Sequence, residues 1–310
     1  MYHPYFRGKQ FELITIRETA GLMAKARFTP IIEPVKEALN GLDRALTAIC
    51  EASGTAIMIV NPGHGEHSEN GDGITDFLNE SFVDGNIQAG ILLKNDMSVD
   101  DAVNLFDLHQ THKPVFIHAG FNDPKGLANK LESESIFTDH VFEEKACGKL
   151  YRRHFNDRNR VLLRDGFVRR RNADHPFSEP FSDLHLTYEE EGMNGFGDYL
   201  IVGDEYSEGG GPAYAVAIYL TYIDPKQDEM MYIYHFLSTS NNTPTDPAGK
   251  FGQALNSLIT KLDSGTSMLF EGEAIQEFRE LHTKQHFPGL GYVKKLSMKH
   301  HIETLADFLG

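Results

Sequence analysis

Short apolar runs alternate with amphipathic stretches over the first two-thirds of the chain. Pro4–Phe6, Phe28–Val35, Ala56–Val60, Ile87–Leu93, Pro114–Ile117, Ser135–Phe142, Val161–Leu163 and Tyr199–Val202 have the length and composition of strands. Between the first of these, Lys9–Ala26 places Leu13, Ile16, Ala20 and Met23 on one helical stripe, and Leu39–Ala52 does so with Leu42, Ala45, Leu46 and Ile49. Further helices are predicted over Ile74–Phe82, Ser98–His109, Lys125–Leu131, Lys145–Phe155 and Ser182–Glu191. Ser98 with Asp101 at the third helical position is close to a capping box. Strands separated mostly by helices imply a parallel sheet. Eight such units in about 200 residues predict an α/β fold of the (β/α)8 TIM-barrel type. An open doubly wound sheet is the alternative. No G-x-G-x-x-G follows the first strand, so nothing positive favours a dinucleotide fold.

The period changes after Gly211. Ala213–Ile223 and Met230–Ser238 are β-rich runs joined by the turn-forming Asp224–Glu229, which predicts a β-hairpin. Helices are expected around Phe251–Leu262, Ala274–His282 and His301–Leu309. No linker divides the chain convincingly. The expectation is one domain over 1–310, with a barrel core over about 1–205 and the hairpin and helical extension over about 206–310.

Composition narrows the class. With 40% hydrophobic and 24% charged residues, the chain can bury a sizeable core. There is no secretory h-region at the start, and the longest uncharged stretch, Gly209–Ile223, is too short for a bilayer. No membrane partner is expected, and two distant cysteines, Cys50 and Cys147, make a reducing cytoplasm the default. The net charge of −16 argues against a nucleic-acid partner. Lys145–Arg171, however, carries a net +8. It is either a basic helix that pairs with the acidic bulk or a docking surface for phosphates or an acidic protein.

Candidate chemistry collects where the strands end, because in a parallel barrel those ends share one mouth. They carry Arg7 and Lys9, Glu33, Asn61 with His64, Lys94, His118, Arg164 with Asp165, and Asp204 with Glu205. Arg7, Lys9 and Arg164, with Asn61, are suited to hold a phosphate or carboxylate. Glu33, Asp165 and Asp204 are candidate acid/base groups, or oxygen ligands for a hard cation such as Mg²⁺, although no spacing identifies a metal or any other cofactor. Lys94 and His118 are candidate bases or electrophiles. Gly209, Gly210 and Gly211 either cradle a phosphate on backbone N–H groups or give a flexible lead-in to the hairpin. His64-Gly65-Glu66-His67 and His109-Gln110-Thr111-His112 lack a nearby third ligand and read as surface histidines.

The opening Tyr5-Phe6-Arg7-Gly8-Lys9-Gln10-Phe11-Glu12-Leu13, the Pro30–Pro34 strand and Gly203-Asp204 resemble the bacterial and phage family named after the phage Beta protein. The resemblance implies a barrel-like α/β fold and a defence-type gene neighbourhood. It implies no activity, and its motif positions here are Arg7, Lys9, Glu12, Glu33 and Asp204. Two functions are therefore expected in competition. One is binding of an anionic or phosphorylated small molecule, such as a nucleotide, at the barrel mouth, with or without turnover. The other is a non-catalytic role in phage defence that docks a partner through residues 145–171.

Overall fold

A computed structural model describes every residue except Asp84, Gly210 and Pro212. The first element, β1 (Tyr2–Phe6), leads through a Gly8 turn into α1 (Gln10–Lys25). There follow β2 (Ile31–Ile32), α2 (Asn40–Glu51), β3 (Ala56–Ile59), α3 (Asp72–Ser81), β4 (Ile87–Leu93) and α4 (Val99–Leu108). Then come β5 (Val115–His118), α5 (Pro124–Ser133), β6 (His140–Glu143), α6 (Lys149–Arg152) and β7 (Arg160–Leu163). The next elements are β8 (Ser178–Ser182), α7 (Leu184–Thr187) and β9 (Gly195–Asp198). The chain ends with β10 (Ala217–Asp224), β11 (Met230–Leu237), α8 (Pro247–Asp263), α9 (Glu273–Lys284) and α10 (Leu290–Leu309).

Strands β1 to β7 and β9 pair in parallel and close into an eight-stranded barrel. Closure is made by β9, which lies between β7 and β1, with Phe196 opposite both Leu162 and Tyr2. The protein is thus a (β/α)8 barrel, and the open-sheet alternative is excluded. Alternate residues fill the interior: Tyr5, Ile31, Ile57, Ile59, Leu92, Val115, Ile117, Val141, Val161, Leu163 and Tyr199 form one buried cluster. The α4 N-terminus has the expected capping box, with Ser98 and Asp101 exchanging hydrogen bonds.

Several elements differ from expectation; among them, α7 is only Leu184–Thr187 and α10 begins at Leu290. The eighth strand is Gly195–Asp198, not Tyr199–Val202. Its glycines look like loop punctuation in the sequence, but they are what the strand needs. A Cβ at Gly197 would lie 2.1 Å from the His3 carbonyl oxygen and 2.5 Å from Leu163 Cδ2. Gly197→Ala is therefore expected to cost about 1–3 kcal/mol. An unchanged urea midpoint would show that β9 is not packed so closely. The basic helix predicted over Lys145–Phe155 shrinks to α6 and a 3-10 turn at Arg153–Phe155. Finally, β8 was not expected at all.

The chain forms two compact units. The first comprises Met1–Arg164 and Leu184–Tyr199 and contains the whole barrel; the second comprises Asp165–Asp183 and Leu200–Gly310. In the second unit the predicted hairpin is present, with Ala217 opposite Leu237 and Asp224 opposite Met230. Strand β8 extends it on the β11 side. One face of this sheet, through Ile218, Leu220, Tyr222, Tyr234 and Phe236, shares a core with α8, α9 and α10. No helix among the described residues is long and apolar enough to cross a membrane.

Candidate functional site

Strand alternation decides which strand-end residues reach the barrel interior. Tyr5 and Ile31 point inward, so Arg7 and Glu33, two residues on, also face in. The Glu33 carboxylate is fully buried. Its Oε2 accepts from Arg7 Nη1 at 2.6 Å and from the Tyr5 hydroxyl at 3.0 Å. Its Oε1 accepts from the backbone N–H of Gly63 at 2.9 Å and of His64 at 3.1 Å. His64 Nδ1 lies 3.0 Å from the same oxygen. Arg7 Nη1 is also 3.0 Å from His64 Nδ1. A carboxylate is the stronger acceptor, so Nδ1–H donates to Glu33, and Nε2 becomes the nitrogen through which a neutral ring exchanges protons.

Burial by itself would push the Glu33 carboxyl up. The His64 hydrogen bond and the Arg7 charge outweigh it and hold the group down, at about 2. Arg7 is fixed on its other sides as well. Its guanidinium carbon lies 5.3 Å from the Tyr5 ring centroid and 5.8 Å from that of Tyr199. Its backbone N–H donates to Glu12 Oε2 at 2.6 Å. Gly8 adopts φ +60°, and a Cβ there would meet the Glu33 carbonyl oxygen at 2.8 Å. Arg7, Gly8, Glu12 and Glu33 are therefore one structural cluster, and its side chain open to solvent is His64, whose ring is 41% exposed.

The remaining sequence candidates separate. Asn61 spends its amide on the backbone of β4, accepting from Leu92 N–H at 2.8 Å and donating to Leu92 O at 2.9 Å. Its amide is thus engaged by β4. Lys94 is half-buried and by alternation falls on the inner side after Leu92. His118 follows inward-facing Ile117 and so faces outward, fully buried, which corrects its placement in the mouth. It stacks on Phe142 at 4.5 Å, and its two nitrogens meet Tyr151 Oη at 2.7 Å and His140 Nδ1 at 2.8 Å. Arg164 is likewise one residue out of phase, and it pairs with Glu144 through Nε and Nη2 at 2.7 and 2.9 Å. Lys9 is the N-cap residue of α1.

Asp165 and Asp204 are brought together within the second unit. Asp165 Oδ2 accepts from Asp204 N–H and Oδ1 from Phe167 N–H, both at 2.9 Å. Burial and the neighbouring Asp204 carboxylate raise Asp165 to about 6, against the pull of those two N–H groups. Gly209 and Gly211 are exposed in the same unit, and Gly210 lies outside the described residues.

Of the expected basic face, residues 145–164 belong to the first unit and 165–171 to the second. Arg152 and Lys149 pair with Glu191, Arg169 with Glu205, Arg170 with Glu179 and Arg171 with Asp174. His109 and His112, read as surface histidines, are buried: His109 meets Thr75 Oγ1 and His112 meets Asn79 Oδ1. Neither Cys50 nor Cys147 is in a disulfide.

Sequence reasoning missed His64 as a partner of Glu33, and it missed Tyr5, Tyr199 and Glu143. Counting every second residue would have found Glu143, which follows inward-facing Val141 and acts electrostatically on Tyr5. A cleft of about 610 Å³ opens beside this cluster. Its lining includes Gly8, Arg17, Lys36, Arg44 and Glu66. Arg17 and Arg44 are exposed, and no carboxylate pairs with them among the described residues.

No family model and no curated protein matches the chain. Among solved structures, it is similar to tryptophan synthase from M. tuberculosis in an open form with BRD0059 bound. That alignment has 14% identity, covers 64% of this chain and 83% of the other, and has a TM-score of 0.38. It is also similar to the enoyl reductase domain of MlnA from the macrolactin biosynthesis cluster of Bacillus amyloliquefaciens. Here the identity is 10%, the coverage 99% and 80%, and the TM-score 0.41. Neither likeness bears on substrate or reaction.

Proposed function

We propose that the barrel unit binds a small anionic molecule beside its carboxyl-end mouth, and that His64 exchanges a proton with it. The observation that carries this reading is the Glu33–His64 pair. A buried, ionised carboxylate holds Nδ1–H of a ring that is otherwise 41% exposed. Carboxylate-oriented histidine is a recurrent general base arrangement, because the anion fixes the tautomer and stabilises the imidazolium that forms. The anionic character of the ligand follows from Arg17 and Arg44 in the adjoining cleft, whose guanidinium groups suit phosphate or carboxylate. Docking through residues 145–171 has less support, because most of those cations already have acidic partners within their own unit.

A thermal-shift screen of nucleotides, sugar phosphates and dicarboxylates tests the proposal. Hits should bind about 10²-fold more weakly to the Arg17→Ala/Arg44→Ala protein, which loses two charged contacts. His64→Gln should retain binding while losing any turnover of the hit. Hits that bind the double variant as tightly as the parent would refute the site.

A further inference from the structure

Three side chains in the second unit have no role in the barrel site. They are His175, Glu179 on β8 and His235 on β11. One ligand atom from each lies within 4.8 Å of the others. His175 and His235 stack with centroids 4.4 Å apart, and both side chains are essentially buried. We propose that these three residues form a binding site for a divalent transition-metal ion of the zinc class.

The hydrogen-bond arrangement is the argument. His235 Nδ1 lies 2.8 Å from the Pro176 carbonyl oxygen, which can only accept, so the proton sits on Nδ1. Nε2 of the neutral ring then carries a bare lone pair. It is buried, has no hydrogen-bond partner, and lies 3.4 Å from Glu179 Oε1. Two acceptors therefore face one another across 3.4 Å. His175 meets the same oxygen through its other nitrogen. Its Nδ1 is 3.4 Å from Glu179 Oε1, and its Nε2 is also buried without a hydrogen-bond partner.

A cation held by these atoms resolves the conflict. Ligands about 2.0–2.1 Å from a tetrahedral metal are about 3.3–3.4 Å from one another. The observed 3.4 Å separations match that edge and exceed a good N–H···O bond. The surroundings are those of a built site. The Pro176 carbonyl orients His235, and Arg170 Nη2 holds the other Glu179 oxygen at 2.9 Å, leaving Oε1 for the ion. Two imidazoles and one carboxylate favour zinc-class ions over Mg²⁺ or Ca²⁺. Tyr219 packs 5.4 Å from both histidine rings. It also lines, with Asn172 and Asp174, a cleft of about 920 Å³ within the same unit. Three protein ligands leave a fourth position for water or for a group arriving through that cleft.

The test uses the full chain, stripped with chelator and titrated with Zn²⁺ or Co²⁺. One ion per chain is expected, with a rise in Tm and visible Co²⁺ bands typical of four- or five-coordination. His235→Ala and His175→Ala should each weaken binding by more than about 10²-fold, whereas His64→Ala/His67→Ala in the barrel unit should leave it unchanged. Absence of Co²⁺ bands in the folded parent would overturn the proposal. So would unaltered stoichiometry and affinity in the two single variants, or a loss confined to the His64/His67 variant. Glu179→Gln, which keeps the side-chain volume, separates loss of a ligand from loss of fold, because its circular dichroism should match the parent while its affinity falls.

Discussion

Between pH 7 and pH 5 the protein is expected to lose most of its folding stability. His3, His140 and His300 are buried and held neutral, with their imidazoles pushed down to about 4, 3 and 3, and His118 lies well below its ordinary range. Burial is the largest cause in each case. His3 is further depressed by the nearby amino terminus, His118 by His140, His140 by Arg158 and Arg160, and His300 by His301. Depressed histidines favour unfolding as pH falls below the unfolded value of about 6.5, because the unfolded chain takes up protons that the native state refuses. Each such group costs about 2 kcal/mol by pH 5. His3, His118 and His140 all lie in the barrel unit. His3 and His140 together remove roughly 4 kcal/mol, and His118 acts in the same direction, in a domain whose total stability is typically about 5–15 kcal/mol. Urea midpoints measured from pH 7.5 to 5 check this. The slope should fall by about 1.4 kcal/mol per pH unit in His140→Gln, which removes one titrating ring. A midpoint that stays level to pH 5 would show that the rings accept protons without unfolding.

These histidines also show where the sequence was legible and where it was not. The barrel could be read because its signal is local. Runs such as Ile87–Leu93 and Ala56–Ile59 are apolar, short and flanked by amphipathic helices, and that alternation alone implies a parallel sheet. Where strand identity depends on a distant neighbour, the signal disappears. Gly195–Asp198 has almost no apolar content, and it is a strand because β1 and β7 leave room only for glycine there. Ile31–Ile32 is a two-residue strand inside what looked like eight. Strand β8 reads Ser-Glu-Pro-Phe-Ser and exists through its pairing with β11.

The site was legible in part, for a reason that lies in side-chain period. The ends of the strands supply the mouth residues of a parallel barrel, and the sequence marks where the strands end. Only alternate residues face in. Arg7 and Glu33 are in phase with Tyr5 and Ile31; His118 and Arg164 are each one residue out, and both are held by partners outside the barrel interior. His64 sits in a glycine-rich loop, where period says nothing, and its place on Glu33 follows from the turn at Gly63. His175, Glu179 and His235 were hidden more completely, since 56 residues separate Glu179 from His235 and only the pairing of β8 with β11 joins them.

Replacing Glu33 by Gln is expected to destabilise the barrel unit by about 3–5 kcal/mol, since it leaves the Arg7 guanidinium buried without its counter-ion. The pH dependence provides a second estimate. Glu33 titrates near 2 in the native state against about 4.5 when exposed, so its charge adds stability that is complete above pH 4.5 and is lost as pH falls toward 2. That interval corresponds to about 3 kcal/mol, in line with the mutational figure. It also lies below the histidine window, so the loss of stability in Glu33→Gln at pH 7 reports on the carboxylate and its partners and not on histidine titration. Arg7→Met should be destabilising too, but the Arg7→Met/Glu33→Gln double variant should fall short of the sum by about 2–3 kcal/mol, because the second change removes a charge already stranded by the first. Strict additivity in a denaturant-melt cycle would show that the two groups do not depend on one another. The same variant reaches the proposed chemistry. With a neutral amide at position 33, His64 loses the anion that fixes its tautomer, so any turnover of a hit should fall in Glu33→Gln at a protein concentration and temperature where the fold is retained.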